Sequence, residues 1–258
     1  MTDESPSEAD AKVRLAAGSP DREALIAGRV VVVIDDEPVE LELIVQAEPV
    51  SMDEVLPIFQ GLSDLFVARG VAKAEAEGRT VSCRAGCGAC CRQLVPISEP
   101  EARGLARLVE AMPEPRRSQV RARFEAALSA LAPTGLLERA LDPAQGEAHQ
   151  LGMTYFAQGV ACPFLEDEAC SIHPDRPLAC REYLVTSPAR NCQAPDSASI
   201  EKVRLAGDPS VALLKAGRAD TQNGWLPLVL ALRFVAEAPP PRRDRTGPEI
   251  LSDVIGRL

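Results

Sequence analysis

The sequence predicts an α+β fold, predominantly helical: an N-terminal β-hairpin, then helices around a loop-rich, metal-stapled core. Three observations predict it. A β-branched run and an alternating run stand side by side at residues 30–45, and apolar residues recur at helical spacing over 52–77, 99–112 and 117–132. Eight cysteines then gather where that periodicity is weakest. With 258 residues, 46% of them hydrophobic, the chain can bury a core of ordinary domain size. Aromatics make up only 3%, so Ala, Leu and Val must do most of the packing.

Residues 1–26 mix Ser, Pro, Asp, Glu and Ala without sustained period, and read as a mobile acidic tail with a short helix near 11–17. Residues 27–50 read as the hairpin. Val30, Val31, Val32, Val33 and Ile34 favour a strand, and Asp35, Asp36 and Pro38 supply turn chemistry. Val39, Leu41, Leu43 and Val45 then alternate with Glu40, Glu42 and Ile44, which predicts a second, half-exposed strand.

A helical domain is expected over 51–237. Ser51 with Glu54, and Ser98 with Glu101, have the spacing of a capping box, in which a hydroxyl and a carboxylate satisfy each other's end of a helix. The first precedes a helix over 52–77, with Pro57 a candidate kink and Gly78 a stop; the second precedes a helix over 99–112. Helices are also expected over 117–132, 134–141, 209–217 and 224–236. Residues 143–197 look loop-rich and short of apolar core, so that their order depends on an external staple. The run Pro239, Pro240, Pro241 opens a linker within 238–258, whose last residues, 248–258, form an amphipathic helix able to dock.

Charge excludes two classes of partner. With 38 acidic against 28 basic side chains, the formal charge of −10 suits neither a nucleic acid nor an anionic membrane surface. The N-terminus MTDESPSEAD has no basic and apolar export pattern, and the longest apolar stretch, 225–232, is too short to span a bilayer. A cytoplasmic location is expected, where thiols stay reduced and cysteines serve as metal ligands or redox groups in preference to disulfides.

Four cysteines stand in the string CRAGCGACCR: Cys83, Cys87, Cys90 and Cys91. After 70 residues come Cys162, Cys170, Cys180 and Cys192, separated by 7, 9 and 11 residues. Thiolates are soft donors suited to Zn²⁺ and iron–sulfur clusters. Drawing Cys83, Cys87 and Cys90 together requires a tight backbone loop, which Gly86 and Gly88 permit. Neighbouring Cys90 and Cys91 point to opposite faces of an extended stretch, so either one is a spare or each serves a different site. Eight thiolates suffice for two four-coordinate centres with interleaved ligands. The wide spacing of the second set makes sense if that segment wraps around a centre begun by the first.

The strings CRAGCGACCR and CPFLEDEACSIHPDRPLACREY resemble the YkgJ-type cysteine-cluster proteins, whose CxxxCxxCC domain chelates zinc or iron. The resemblance covers about residues 83–192. It implies that Cys83, Cys87, Cys90, Cys91, Cys162, Cys170 and Cys180 are metal ligands or their close support, with Cys192 a trailing member. His173 stands where that family often carries Tyr, and packing is favoured over ligation for it. A related cysteine domain in flagellin lysine methylases brings in methyl transfer, by resemblance alone.

Other candidates are blander. Arg84, Arg92, Arg176 and Arg181 lie near cysteines and would stabilise thiolates, or else pair with Asp167, Asp175 or Glu182. His149 is read as a solvated helix residue. Cys83, Cys87 and Cys90 also have radical S-adenosylmethionine spacing, but the chain lacks the strand–helix alternation such enzymes use. No residue is singled out as a catalytic nucleophile.

The sequence therefore points to a metal-binding protein whose eight cysteines hold an iron–sulfur cluster, [4Fe-4S] favoured, or Zn²⁺. A redox or maturation role, a zinc-stabilised structural or interaction role, a metal carrier or sensor, and a methyl-transfer enzyme remain open. The partner, protein or small molecule, is not specified. A cofactor pocket beside the cysteines, near Tyr155 and Phe156, would favour the enzyme.

Overall fold

The computed structural model describes residues 13–17, 24–142, 146–194, 199–217 and 224–258. The hairpin is there. Strand β2 (Leu25–Ile34) runs antiparallel to β3 (Glu37–Gln46) through a turn whose Asp35 and Asp36 have φ of 51° and 64°. Two left-handed residues match the twist of the flanking strands, which is why short polar Asp serves here. Val39, Leu41, Leu43 and Val45 are buried, as their alternation predicts.

A third strand corrects the expectation for the tail. Strand β1 (Val13–Ala16) pairs in parallel with β3, Val13 opposite Leu41 and Ala16 opposite Ile44, giving the order β1-β3-β2. The short helix expected near 11–17 is not formed at 13–16. The rest of the expected tail, residues 1–12 and 18–23, lies outside the described residues.

The sheet buries one face against α1 (Leu56–Ala76), and α7 (Pro209–Ala216) and α9 (Gly247–Ile255) complete that core. Ile58, Phe59, Leu62 and Phe66 carry the buried stripe of α1. The Ser51–Glu54 box forms one turn ahead of α1, with the Ser51 amide and hydroxyl donating to Glu54 at 2.9 and 2.8 Å. Pro57 falls in the first turn of α1, where a missing N–H costs nothing, so it starts the helix without kinking it. The terminal helix α9 docks through Ile250, Leu251 and Val254.

A second core holds α2 (Glu99–Glu110), α3 (Arg116–Leu131), α4 (Leu136–Leu141) and α8 (Ala231–Glu237). It extends into the segment expected to lack apolar anchors. Helix α5 (Ala148–Phe156) turns Leu151 and Tyr155 inward, and Phe164 and Ile172 join them. Phe164 meets Phe124 edge-on, with ring centroids 5.4 Å apart. The expectation of a region ordered only by a staple is thus corrected for these residues: buried hydrocarbon holds them.

Short strand pairs tie distant pieces together: β4 (Pro49–Val50) with β9 (Arg245–Thr246), β5 (Pro96–Ile97) with β8 (Leu226–Pro227), and β6 (Leu165–Glu166) with β7 (Ala169–Cys170). Among the described residues, no helix is long and apolar enough to cross a membrane.

Candidate metal centre

The first cysteine string folds as consecutive tight turns. The Cys87, Cys91 and Gln93 amides donate to the Arg84, Gly88 and Cys90 carbonyls at 3.0–3.1 Å. Gly86 sits at φ 87°, a conformation glycine adopts without penalty. Gly88 serves a different need: a Cβ there would stand 2.4 Å from the Glu168 carbonyl oxygen and 2.5 Å from Leu165. Glycine is therefore what lets this loop press on the β6–β7 hairpin. That contact is locked by the Cys162 amide donating to the Cys91 carbonyl at 2.7 Å, and by Arg92 holding both oxygens of Glu168 at 3.0 and 2.7 Å.

The other cysteines arrive on short elements. Cys170 ends β7, Cys180 lies in α6 (Leu178–Glu182), and Cys192 lies in a single 3₁₀ turn, Ala189–Gln193. Cys83 is aligned beside Val185, whose amide donates to Sγ at 3.4 Å. Helix α6 is moored from outside: the Leu178 amide donates to buried Glu101 at 2.8 Å, and Arg181 grips both oxygens of Asp64 on α1 at 2.8 and 2.9 Å.

The eight thiols do not sort by their order in the chain. Cys87, Cys90, Cys91, Cys162, Cys170 and Cys180 line one cavity of about 250 Å³ whose remaining wall is mostly apolar. Cys83 and Cys192 lie outside it, packed with Cys87 and Cys90 around Ala89 and Val185. Cys87 and Cys90 belong to both groups, and Cys91 lines the cavity beside Cys90. Among the described residues, no three His, Cys, Asp or Glu side chains are gathered as a single metal ion would require.

Residues 82–198 match the family model CxxCxxCC, described as "Putative zinc- or iron-chelating domain". The likeness is of this segment, 117 of the 258 residues. No curated protein and no solved structure matches the chain. The family match supports metal binding by the domain; the identity of the metal and its ligands is taken up below.

The chemistry of the matched segment suits a thiophilic metal on two counts. Its donors are thiols, and no histidine lines the cavity. In the same wall, the buried Nε of Arg176 has no hydrogen-bond partner, so a cation without a protein acceptor faces the sulfurs. Burial pushes most of the thiols up: Cys162 to about 12, Cys192 to about 11, and Cys83, Cys170 and Cys180 in the same direction. Cys90 goes the other way, to about 7, because the Cys91 hydrogen bond stabilises its thiolate and Arg176 adds to it. The interaction with Cys90, and after it burial, push Cys91 up.

The four arginines of the sequence divide by role. Arg176 alone of them lines the cavity, and its charge favours the thiolates of Cys83, Cys90 and Cys170. Arg92 is committed to Glu168, and Arg181 to Asp64, so these two position loops. For Arg84 the described residues show no ion pair. Arg123, which the sequence did not single out, favours the Cys162 thiolate and pairs with Glu166. Nothing in its helical spacing signals this, since α3 reaches Cys162 only through the tertiary fold. His173 opens a 3₁₀ turn, His173–Asp175, away from the cavity lining, and His149 is exposed on α5.

Proposed function

We propose that the matched segment is an iron–sulfur domain in which Cys83, Cys87, Cys90, Cys91, Cys162, Cys170, Cys180 and Cys192 form two interleaved thiolate sets. Cys91, Cys162, Cys170 and Cys180 form the set facing the cavity, and Cys83, Cys87, Cys90 and Cys192 the set around Ala89 and Val185. Four cysteines suit one [4Fe-4S] centre. The observation that carries this reading is the cavity of about 250 Å³ with six thiols around it. A single Zn²⁺ takes thiolates at about 2.3 Å, which puts neighbouring sulfurs about 3.8 Å apart in a tetrahedron. Thiols spread around a cavity suit a polynuclear centre instead.

When bound, such a cluster supplies one-electron chemistry, and a redox or maturation role follows from it. The protein's own contribution is to hold the ligands and set their charge. Gly88 and the Cys162–Cys91 hydrogen bond bring the two strings together. Arg176 offsets thiolate charge, and the apolar wall excludes water, two levers that set the potential of a cluster.

Anaerobic purification followed by metal and acid-labile sulfide analysis tests the reading. The expected result is a coloured protein with iron and sulfide in equal amounts, about eight of each per chain if both sets are filled. A colourless protein with stoichiometric zinc and no labile sulfide overturns it in favour of a zinc-stabilised interaction protein.

A further inference from the structure

A cleft of about 720 Å³ opens on the other side of the wall that closes the cysteine cavity. Gln93, Leu94 and Tyr183 line both spaces. One side of the cleft is the outer face of α5. His149, Gly152, Met153 and Phe156 recur at helical spacing toward the cleft, while Leu151 and Tyr155 turn into the core. The other side is an extended segment held to residues 184–186 by hydrogen bonds of the Val203 and Thr186 amides, at 2.8 and 2.9 Å. Its alternation sends Lys202 and Arg204 into the cleft and buries Val203 behind them.

Two features mark the cleft. The first is charge: in a chain of formal charge −10, Arg79 (paired with Glu77), Lys202 and Arg204 line this cleft against one acidic residue, Glu201. Among the described residues Arg204 has no ion-pair partner, and Lys202 lies 4.9 Å from the centroid of the Tyr183 ring. The second is Gly152. A glycine inside a helix costs about 1 kcal/mol relative to alanine. Here no atom stands within 4 Å of where a Cβ would go, so packing does not require it. Its effect is to leave room in the cleft.

We propose that this cleft binds a small organic anion with a flat apolar body. Lys202 and Arg204 would hold its carboxylate, sulfonate or phosphate, and Met153 and Phe156 would cover its ring above the space left by Gly152. Such a ligand would rest against the Gln93–Tyr183 wall, one layer of side chains from Cys90 and Cys91. The inference stands on this cleft alone and holds whichever metal the cysteines carry. Of the residues expected to mark a cofactor pocket, Phe156 lines it and Tyr155 does not.

Fluorescent binding to the full chain, as purified, tests it. The probe is 1-anilinonaphthalene-8-sulfonate, compared with uncharged N-phenyl-1-naphthylamine. The anion is expected to bind at least about tenfold more tightly, a preference that Lys202→Glu with Arg204→Glu removes. Gly152→Leu should abolish binding of the anion while the melting temperature holds or rises, since leucine favours the helix. Arg233→Glu, an exposed residue outside the cleft, should change nothing. Displacement by phenyl phosphate or by benzoate then tells a phosphate site from a carboxylate site. Equal binding of the neutral probe, unchanged anion binding in either cleft variant, or displacement by neither competitor overturns the proposal.

Discussion

Around Phe59, where α1 meets the three-stranded sheet, the buried neighbours are hydrocarbon: Leu41, Ile58, Leu62 and the side chains of α9. Around Ala89 and Val185, the neighbours are sulfur: Cys83, Cys87, Cys90 and Cys192. The first region is held by area removed from water, spread over many contacts, so that its order needs nothing beyond the chain. The second has few apolar contacts and short elements. Its loops meet through single hydrogen bonds and through a glycine that allows backbone contact. What this teaches is a division of labour: one part folds as an ordinary core, and the other gathers thiols on short loops.

The largest expected effect is on the sulfur side. Cys180→Ser removes a thiol from the cavity wall and should reduce bound metal. It should also speed amide exchange across residues 178–194, a local loss on the order of 5 kcal/mol, because a structural metal's binding energy is also folding energy. The β2–β3 hairpin should keep its protection, and so should α5, whose Leu151 and Tyr155 are anchored in hydrocarbon. Exchange that rises in the hairpin as well would show that the two regions unfold as one unit.

The opposite lesion is next in size. Phe59 is fully buried, and Phe59→Ala should cost about 3–5 kcal/mol through lost transfer energy and the cavity left behind. Chemical denaturation measures that cost, and metal content after purification should match the wild type. A variant that loses metal in proportion to stability would erase the distinction.

This division also explains what the sequence made legible. The hairpin and the helices over 56–76, 99–110 and 116–131 announce themselves because one face is apolar at a fixed period, and Ser98 with Glu101 marks a true start. Strand β1 is too short for alternation to register, with only Val13 and Leu15 turned inward. Helix α5 hides because its inward face rests on Leu151 and Tyr155 alone, with Gly152 between them. The cysteines were legible as a cluster but not as an arrangement. Vicinal Cys90 and Cys91 suggest two faces, yet both line one cavity, and nothing in the spacing says that Cys192 packs with Cys87 or that Cys162 shares the cavity wall with Cys91.

The smallest expected effect lies at the joint between the regions. Glu101 caps α2 and reaches α6: one oxygen accepts from the Ser98 amide and hydroxyl, each at 2.7 Å, and the other from the Leu178 amide at 2.8 Å. Three donors favour the carboxylate, but burial outweighs them and pushes this carboxyl above its usual 4.5. The folded protein therefore binds this proton more tightly than the unfolded chain does. Glu101's contribution to stability is then complete below about pH 4.5 and falls as the pH rises through the window up to the folded value. Glu101→Gln cannot titrate, and its amide turns a donor toward either Ser98 or Leu178, leaving a buried donor unmatched at a cost of about 1–3 kcal/mol. The stability difference between wild type and variant, followed by denaturation across pH, should shrink as the pH rises above 4.5. If it grows instead, the three donors govern Glu101, and the two regions are joined by a buried anion rather than by a shared proton.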